Sequence, residues 1–89
     1  MGSYEVIIYK PARRYLEWCD RVLGRRLAAR LDALGRDPYA HGKPLAGVGP
    51  LRSARVGDLR IIYEVEEPGK RVHVYAIGPR GQIYRNLRK

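Results

Sequence analysis

The sequence predicts a single α+β domain: an N-terminal strand, a helical hairpin and then a three- to four-stranded, mainly antiparallel sheet, in the order β-α-α-β-β-β. Three observations predict this order. A β-branched, aromatic run stands near the N-terminus, two segments with helical apolar spacing follow it, and alternating strand patterns fill the second half. A chain of 89 residues supports one modest core and no second domain, so residues 1–89 are taken as one unit.

The first strand is predicted over Tyr4–Tyr9, where apolar β-formers surround a single glutamate. Pro11 then suits the first turn of a helix, because the missing amide hydrogen has no partner there in any case. One stripe along this helix, predicted over residues 11–19, is formed at i, i+3, i+4 and i+7 by Ala12, Tyr15, Leu16 and Cys19.

A second helix is predicted from the cap residue Asp20 to Gly35. Its apolar stripe consists of Leu23, Leu27, Leu31 and Leu34. The dipeptide Asp37-Pro38 ends the helix, and the glycine- and proline-rich segment Tyr39–Pro50 is predicted to be a loop. The short link between the helices predicts a hairpin.

The second half predicts a β-hairpin over Leu51–Val56 and Leu59–Glu66, joined by a type II′ turn at Gly57-Asp58. A further strand is predicted over Lys70–Ile77, and the pattern at Gln82–Tyr84 is compatible with a short terminal strand.

Alternation along these strands divides the sheet into two faces. Leu59, Ile61, Tyr63 and Val65 share the face expected to meet the helices, together with Ala54 and Val56. The opposite face receives Arg60, Ile62 and Glu64, with Ser53 and Arg55 from the preceding strand. We expect this second face to be open and basic.

The net charge of +9 indicates a polyanionic partner such as nucleic acid or an acidic protein. No acidic residue follows Glu67, whereas six basic residues do: Lys70, Arg71, Arg80, Arg85, Arg88 and Lys89. The alternative is a merely charged, soluble surface, but such a surface would not need a localised excess.

Several classes of protein are disfavoured. No apolar run approaches the roughly 20 residues of a membrane span, and no signal peptide is evident, so a cytoplasmic protein is expected. Cys19 has no cysteine partner, and His41 and His73 are far apart, which argues against a disulfide, a metal site and a histidine-pair nuclease. Phosphate-loop, zinc-protease and esterase motifs are missing.

Arginine is the remaining candidate for chemistry. Arg55 and Arg60 flank the Gly57-Asp58 turn on one face, and Arg80 follows the adjoining strand. Three converging guanidinium groups could bind a phosphate and stabilise the charge of its transition state. The alternative is that these arginines are solvated or paired with carboxylates.

Two segments resemble the RelE/ParE superfamily of toxins. The segment from Leu51 to Tyr63, Leu-Arg-Ser-Ala-Arg-Val-Gly-Asp-Leu-Arg-Ile-Ile-Tyr, is similar to the central hairpin of these toxins. The segment from Gly78 to Tyr84, Gly-Pro-Arg-Gly-Gln-Ile-Tyr, resembles their closing motif of an arginine followed by a tyrosine. The resemblance covers nearly the whole chain and implies a RelE-like toxin domain.

The resemblance implies a ribosome-dependent endoribonuclease that cleaves messenger RNA without a metal or other cofactor. Arg60 and Arg80 match the arginines that bind the scissile phosphate, Arg55 matches a basic residue of the preceding strand, and Tyr84 matches a tyrosine that stacks on a base or assists proton transfer. Further contacts to RNA are expected from Arg52, Ser53, Lys70, Arg85, Arg88 and Lys89. The implied partners are messenger RNA on the ribosome and an acidic antitoxin, with no membrane and no small-molecule cofactor.

The sequence departs from the pattern at three positions. Ser53 stands where many relatives have a basic residue, Leu59 replaces a frequent tyrosine, and Pro79 replaces a frequent histidine, which leaves the general base unidentified. Two alternatives therefore stay open. One is an inhibitor of DNA gyrase with the same fold, although such inhibitors generally lack the complete set of Arg60, Arg80 and Tyr84. The other is a plain RNA-binding module, which would need interleaved aromatics on the open face.

Overall fold

The computed structural model describes residues 3–81 and 83. The elements are β1 (Glu5–Ile8), α1 (Lys10–Trp18), α2 (Arg21–Arg36), β2 (Lys43–Pro44), β3 (Arg52–Val56), β4 (Leu59–Glu66) and β5 (Arg71–Pro79). They build a five-stranded sheet in the order β1-β5-β4-β3-β2. The β1–β5 pair is parallel and the other pairs are antiparallel, which confirms the predicted α+β class.

Both helices begin and end as the sequence predicts, within a residue. Pro11 lies in the first turn of α1. The Asp20 side chain caps α2 by accepting a hydrogen bond of 2.8 Å from the Leu23 amide. Leu27 and Leu34, from the predicted stripe, are fully buried. Among the helices of the described residues, none is long and apolar enough to cross a membrane.

One face of the sheet packs against the helices, and a bulge sets which side chains reach it. Pairing between β4 and β5 passes from Ile62↔Ala76 to Tyr63↔Val74, so β5 holds one extra residue. Because of this extra residue, Val72, Val74 and Ile77 all belong to the core although their spacing is not even. His73, between Val72 and Val74, lies on the opposite face, which we call the outer face.

Two local predictions are wrong. The predicted loop Tyr39–Pro50 contains β2, whose Lys43 pairs with Ser53; a strand of two residues, one of them proline, has no periodic signal. The predicted terminal strand Gln82–Tyr84 is not formed at its centre, since the backbone at Arg80, Gly81 and Ile83 is helical. Gln82 and Tyr84 themselves lie outside the described residues.

The outer face is less open than predicted. Ile62 points to this face, yet its exposed fraction is 0%. Ile83 is also buried, and a Cβ added to Gly78 would lie 4.0 Å from it, so Ile83 covers part of this face. The predicted open surface is therefore confined to the ends of the sheet.

Candidate functional site

A concave, basic site lies beside the hairpin of β3 and β4. It is a cavity of about 460 Å³ whose lining residues are Arg30, Ala40, His41, Gly42, Lys43, Pro44, Leu45, Ser53, Arg55 and Arg60. The strands supply the floor, the segment around β2 supplies one wall, and α2 contributes Arg30. None of these lining residues is acidic. We refer to this cavity as the basic groove.

Arg55 and Arg60 stand directly opposite each other on β3 and β4. Like charges facing each other across an antiparallel pair destabilise a sheet. Arg55 Nε donates a hydrogen bond of 3.3 Å to the Gly57 carbonyl oxygen, which orients its guanidinium near the turn. Among the ion pairs between described residues, neither arginine takes part in one. Two opposed cations without a carboxylate form a site that an anion such as a phosphate would stabilise.

A second cavity of about 420 Å³ continues the basic groove toward the hairpin turn. Arg30, His41 and Arg55 line both cavities. Gly57 has a left-handed φ of 61°, as the first central residue of a type II′ turn requires. The guanidinium of Arg26 lies over this turn, 3.4 Å from the position that a Cβ of residue 57 would take. Cationic groups therefore extend along the whole edge from β2 to the turn.

Hydrogen bonds from β3 and β4 anchor the wall of the groove. The fully buried Tyr63 donates a hydrogen bond of 2.7 Å from its hydroxyl to the Pro38 carbonyl oxygen. Arg52 donates from Nη2 to the Gly42 carbonyl oxygen at 3.1 Å and from Nε to the Tyr63 hydroxyl at 3.3 Å. The Arg52 guanidinium also lies over the Tyr39 ring, 5.2 Å from its centroid. These contacts hold the groove wall in place, and the expected contact of Arg52 with RNA stays a prediction.

The other predicted site residues lie in different parts of the molecule. Ser53 lines the groove with Arg55 and Arg60. Arg80 is exposed and begins the helical segment two residues after Gly78, the cross-strand partner of Arg60, but it does not line the cavity. Lys70 lies beyond the far end of β4, with Nζ 5.3 Å from the Tyr4 ring centroid. The remaining predicted site residues, Tyr84, Arg85, Arg88 and Lys89, lie outside the described residues.

Three polar residues of the groove are not predicted from the sequence: Arg30, His41 and Lys43. Arg30 is one of several arginines on α2, and its position in the sequence does not single it out. His41 and Lys43 lie in a segment read as a loop, where no periodicity predicts the direction of a side chain. Two basic side chains separated by one residue, in the segment that leads to the hairpin, were the available signal.

The opposite end of the outer face holds a second polar cluster, in which the charged groups are paired. Glu66 accepts hydrogen bonds from Arg71 Nη1 at 2.8 Å and from His73 Nε2 at 2.7 Å. Because a carboxylate only accepts, His73 Nε2 is the donor to Glu66, and the Tyr9 hydroxyl lies within hydrogen-bond distance of His73 Nδ1, at 2.9 Å. Arg71 also lies 3.5 Å from Glu5. We refer to Glu5, Tyr9, Glu66, Arg71 and His73 as the paired cluster.

The pKa values of Glu66 and Tyr75, in and beside the paired cluster, are shifted from their ordinary values. The hydrogen bond from His73, assisted by the charge of Arg71, lowers the pKa of Glu66 below its ordinary value. Burial is the larger cause and a hydrogen bond to Glu64 the smaller cause that raise the pKa of Tyr75 to about 12.

The rings of Tyr9 and Tyr75 lie 4.9 Å apart, so the outer face has more aromatic character than the strand pattern predicts. Within the described part of the chain, no group of three His, Cys, Asp or Glu side chains is placed to hold a metal ion.

Comparison with known proteins shows that the chain matches a family of toxins. The model of the ParE toxin family, described as the toxin of the parDE type II toxin–antitoxin system, matches residues 6–84. A search of curated proteins finds no match.

Solved structures with a similar fold come from bacteria and archaea. A chain of the toxin–antitoxin complex RelBE2 from Mycobacterium tuberculosis is 26% identical, with a TM-score of 0.80 over 89% of this chain and 93% of that chain. A chain of the archaeal RelE-RelB complex from Pyrococcus horikoshii is 30% identical, with a TM-score of 0.75 over 90% and 98%. The isolated E. coli RelE toxin, at 16% identity and a TM-score of 0.74 over 96% and 99%, shows the fold alone.

Proposed function

The chain belongs to the ParE toxin family of type II toxin–antitoxin systems, within the RelE/ParE superfamily, and we propose that it acts there as a ribosome-dependent endoribonuclease that cleaves messenger RNA. The observation that carries this proposal is the basic groove. Arg55 and Arg60 face each other with no carboxylate between them, and Arg30 and Lys43 add positive charge from two further elements. A concave site of one charge sign concentrates a polyanion and binds its phosphates.

The proposed reaction is attack of a ribose 2′-oxygen on the adjacent 3′-phosphorus. The bond to the 5′-oxygen breaks, which leaves a 2′,3′-cyclic phosphate and a 5′-hydroxyl end. Arg55 and Arg60 would bind the non-bridging oxygens, whose negative charge increases in the transition state. Arg80, at the same end of the sheet, is proposed as a third cation for this phosphate, and Tyr84 as the residue that stacks on a base.

The groove residues would also place the substrate. A narrow site that fixes the attacking and leaving oxygens in line lowers the barrier without any cofactor. The remaining basic residues, Lys70, Arg85, Arg88 and Lys89, are proposed to bind phosphates of messenger or ribosomal RNA outside the groove.

The second candidate function is inhibition of DNA gyrase, which the match to the ParE family favours. Primer-extension mapping after induction separates the two functions. We expect cuts within the codons of a translated message and no cuts in the same message without its start codon. Arg60→Ala should abolish the cuts. Intact messages accompanied by gyrase-linked DNA breaks would refute the ribonuclease and support the inhibitor.

We further propose an acidic antitoxin as the physiological partner. Similar toxins from M. tuberculosis and P. horikoshii were solved in complexes with an antitoxin. A domain of net charge +9 with a cationic groove attracts an acidic chain electrostatically. Co-expression with an adjoining acidic reading frame should restore growth and yield a complex. A harmless domain that purifies alone from its own cells would contradict the proposal.

A further inference from the structure

His41 lies in the basic groove but has no role in the reaction proposed above. It lines both cavities, together with Arg30 of α2 and Arg55 of β3. Its side chain is half-buried, and it forms no hydrogen bond with another side chain of the described residues. His73 provides the contrast, because both of its ring nitrogens are bonded within the paired cluster. A histidine in a cationic groove with its nitrogens uncommitted is available to a ligand.

The backbone beside His41 is fixed from two sides. Arg52 holds the Gly42 carbonyl oxygen, and Lys43 pairs with Ser53 in the β2–β3 ladder. A Cβ on residue 42 would overlap the Tyr63 hydroxyl and lie 2.9 Å from the Ser53 carbonyl oxygen, so this segment lies tightly against the sheet. Such anchoring holds a neighbouring functional side chain in one place, which proton transfer to a bound substrate requires.

Among the side chains that line the groove, His41 alone carries an imidazole, the group that most often acts as a general base in enzymes. The groups around it are Arg26 and Arg30 from α2, Lys43 from its own segment, Arg55 from β3 and Arg60 from β4. Arginine stays protonated above pH 12, and lysine ordinarily titrates near 10.4, so neither accepts a proton readily at neutral pH.

We propose that His41 is the general base of the cleavage reaction. This inference rests on the proposed ribonuclease function and supplies the general base, which the sequence motifs do not identify. One imidazole nitrogen takes the proton of the ribose 2′-hydroxyl while the 2′-oxygen forms its bond to phosphorus. The electron pair of the breaking bond goes to the 5′-oxygen, which takes a proton from water, and His41 returns its proton to solvent. Arg55 and Arg60 bind the phosphate during this step.

Single-turnover cleavage on ribosomes programmed with a defined message tests the proposal. His41→Gln should lower the rate by about 10²-fold, within the range that general bases contribute. The wild-type rate should rise with pH on the acidic side of neutrality, as expected for a histidine general base, whereas the His41→Gln rate should stay flat. Added imidazole should restore part of the rate to His41→Ala, a response that a structural role would not produce. His73→Gln is the matched control and should keep both the rate and its pH dependence.

The possible outcomes distinguish failure of the His41 assignment from failure of the ribonuclease proposal. If the wild type cleaves, Arg60→Ala does not, and His41→Gln retains the wild-type rate and pH profile, the assignment of His41 is wrong and the ribonuclease stands. A slower His41→Gln with an intact pH dependence, and no imidazole rescue of His41→Ala, also overturns the assignment. If the wild type itself does not cleave, both proposals fail.

Discussion

The two ends of the outer face use the same residue types in opposite ways. At the paired cluster, Arg71 and His73 share the carboxylate of Glu66, and Arg71 also approaches Glu5. At the basic groove, Arg55 and Arg60 face each other, and the lining residues include no acid. The first arrangement satisfies its charges within the fold, whereas the second leaves them for a ligand. The number of arginines in the sequence does not distinguish these two arrangements, because the difference lies in the cross-strand partner of each arginine.

The largest effect is expected from Arg60→Ala. Removing a preorganised charge donor typically costs about 3–4 kcal/mol of transition-state stabilisation, or roughly 10²- to 10³-fold in cleavage rate. Thermal stability should stay equal or rise slightly, since the substitution relieves repulsion with Arg55. Arg80→Ala should lower the cleavage rate by a similar factor.

Arg71→Ala, at the paired cluster, is the matched control for this prediction. It should keep the cleavage rate and lower the melting temperature slightly, because it removes the ion pairs with Glu66 and Glu5. Loss of melting temperature in Arg60→Ala in proportion to its loss of activity would assign Arg60 to the structure instead.

A smaller effect is expected from Tyr63→Phe, which removes the hydroxyl that anchors the groove wall. The Pro38 carbonyl oxygen loses its hydrogen-bond donor, and Arg52 loses an acceptor. An unsatisfied buried group costs roughly 1–3 kcal/mol, measurable as a decrease in the free energy of unfolding in urea. Tyr15→Phe, whose hydroxyl forms no side-chain hydrogen bond among the described residues, should remain as stable as the wild type. Equal stability of the two variants would show that the anchor contributes nothing.

Lys43→Ala should weaken RNA binding by a few-fold and change its salt dependence. Each phosphate contact to single-stranded RNA contributes roughly 0.7 to the slope of log K against log salt. Titrations of a short oligonucleotide at several salt concentrations should therefore give a slope shallower by about that amount. Lys10→Ala, at the start of α1 and outside the groove, should leave the slope unchanged. The same slope in both variants would place the RNA elsewhere.

The smallest effect concerns the paired cluster at low pH. The pKa of Glu66 is lowered in the fold from an ordinary value of 4.5, so its stabilising contribution is complete above that value. This contribution is lost as the pH falls through the lowered pKa of the folded state. Urea midpoints between about pH 6 and 3 should fall less steeply for Glu66→Gln than for the wild type. Glu17→Gln, on the exposed side of α1, should match the wild-type slope.

The sequence by itself determined the two helices, the four longer strands and the face of the central hairpin. The stripe of Leu27, Leu31 and Leu34, the cap at Asp20 and the turn at Gly57 are local signals, since each depends on residues within a few positions. The alternation of β4 placed Arg60 opposite the core, and the two-residue turn brought Arg55 beside it. These two groove residues were therefore predictable from spacing alone.

Tertiary structure decided the rest of the site. The bulge in β5 changes its alternation, the wall holding His41 and Lys43 depends on Tyr63 and Arg52, and Arg30 arrives from a helix. Arg52 points to the helix-facing side, where it donates hydrogen bonds to the Gly42 carbonyl oxygen and the Tyr63 hydroxyl, whereas Arg55 lines the groove. Contacts between residues distant in the chain arise only when the elements pack, and spacing along the sequence does not encode them.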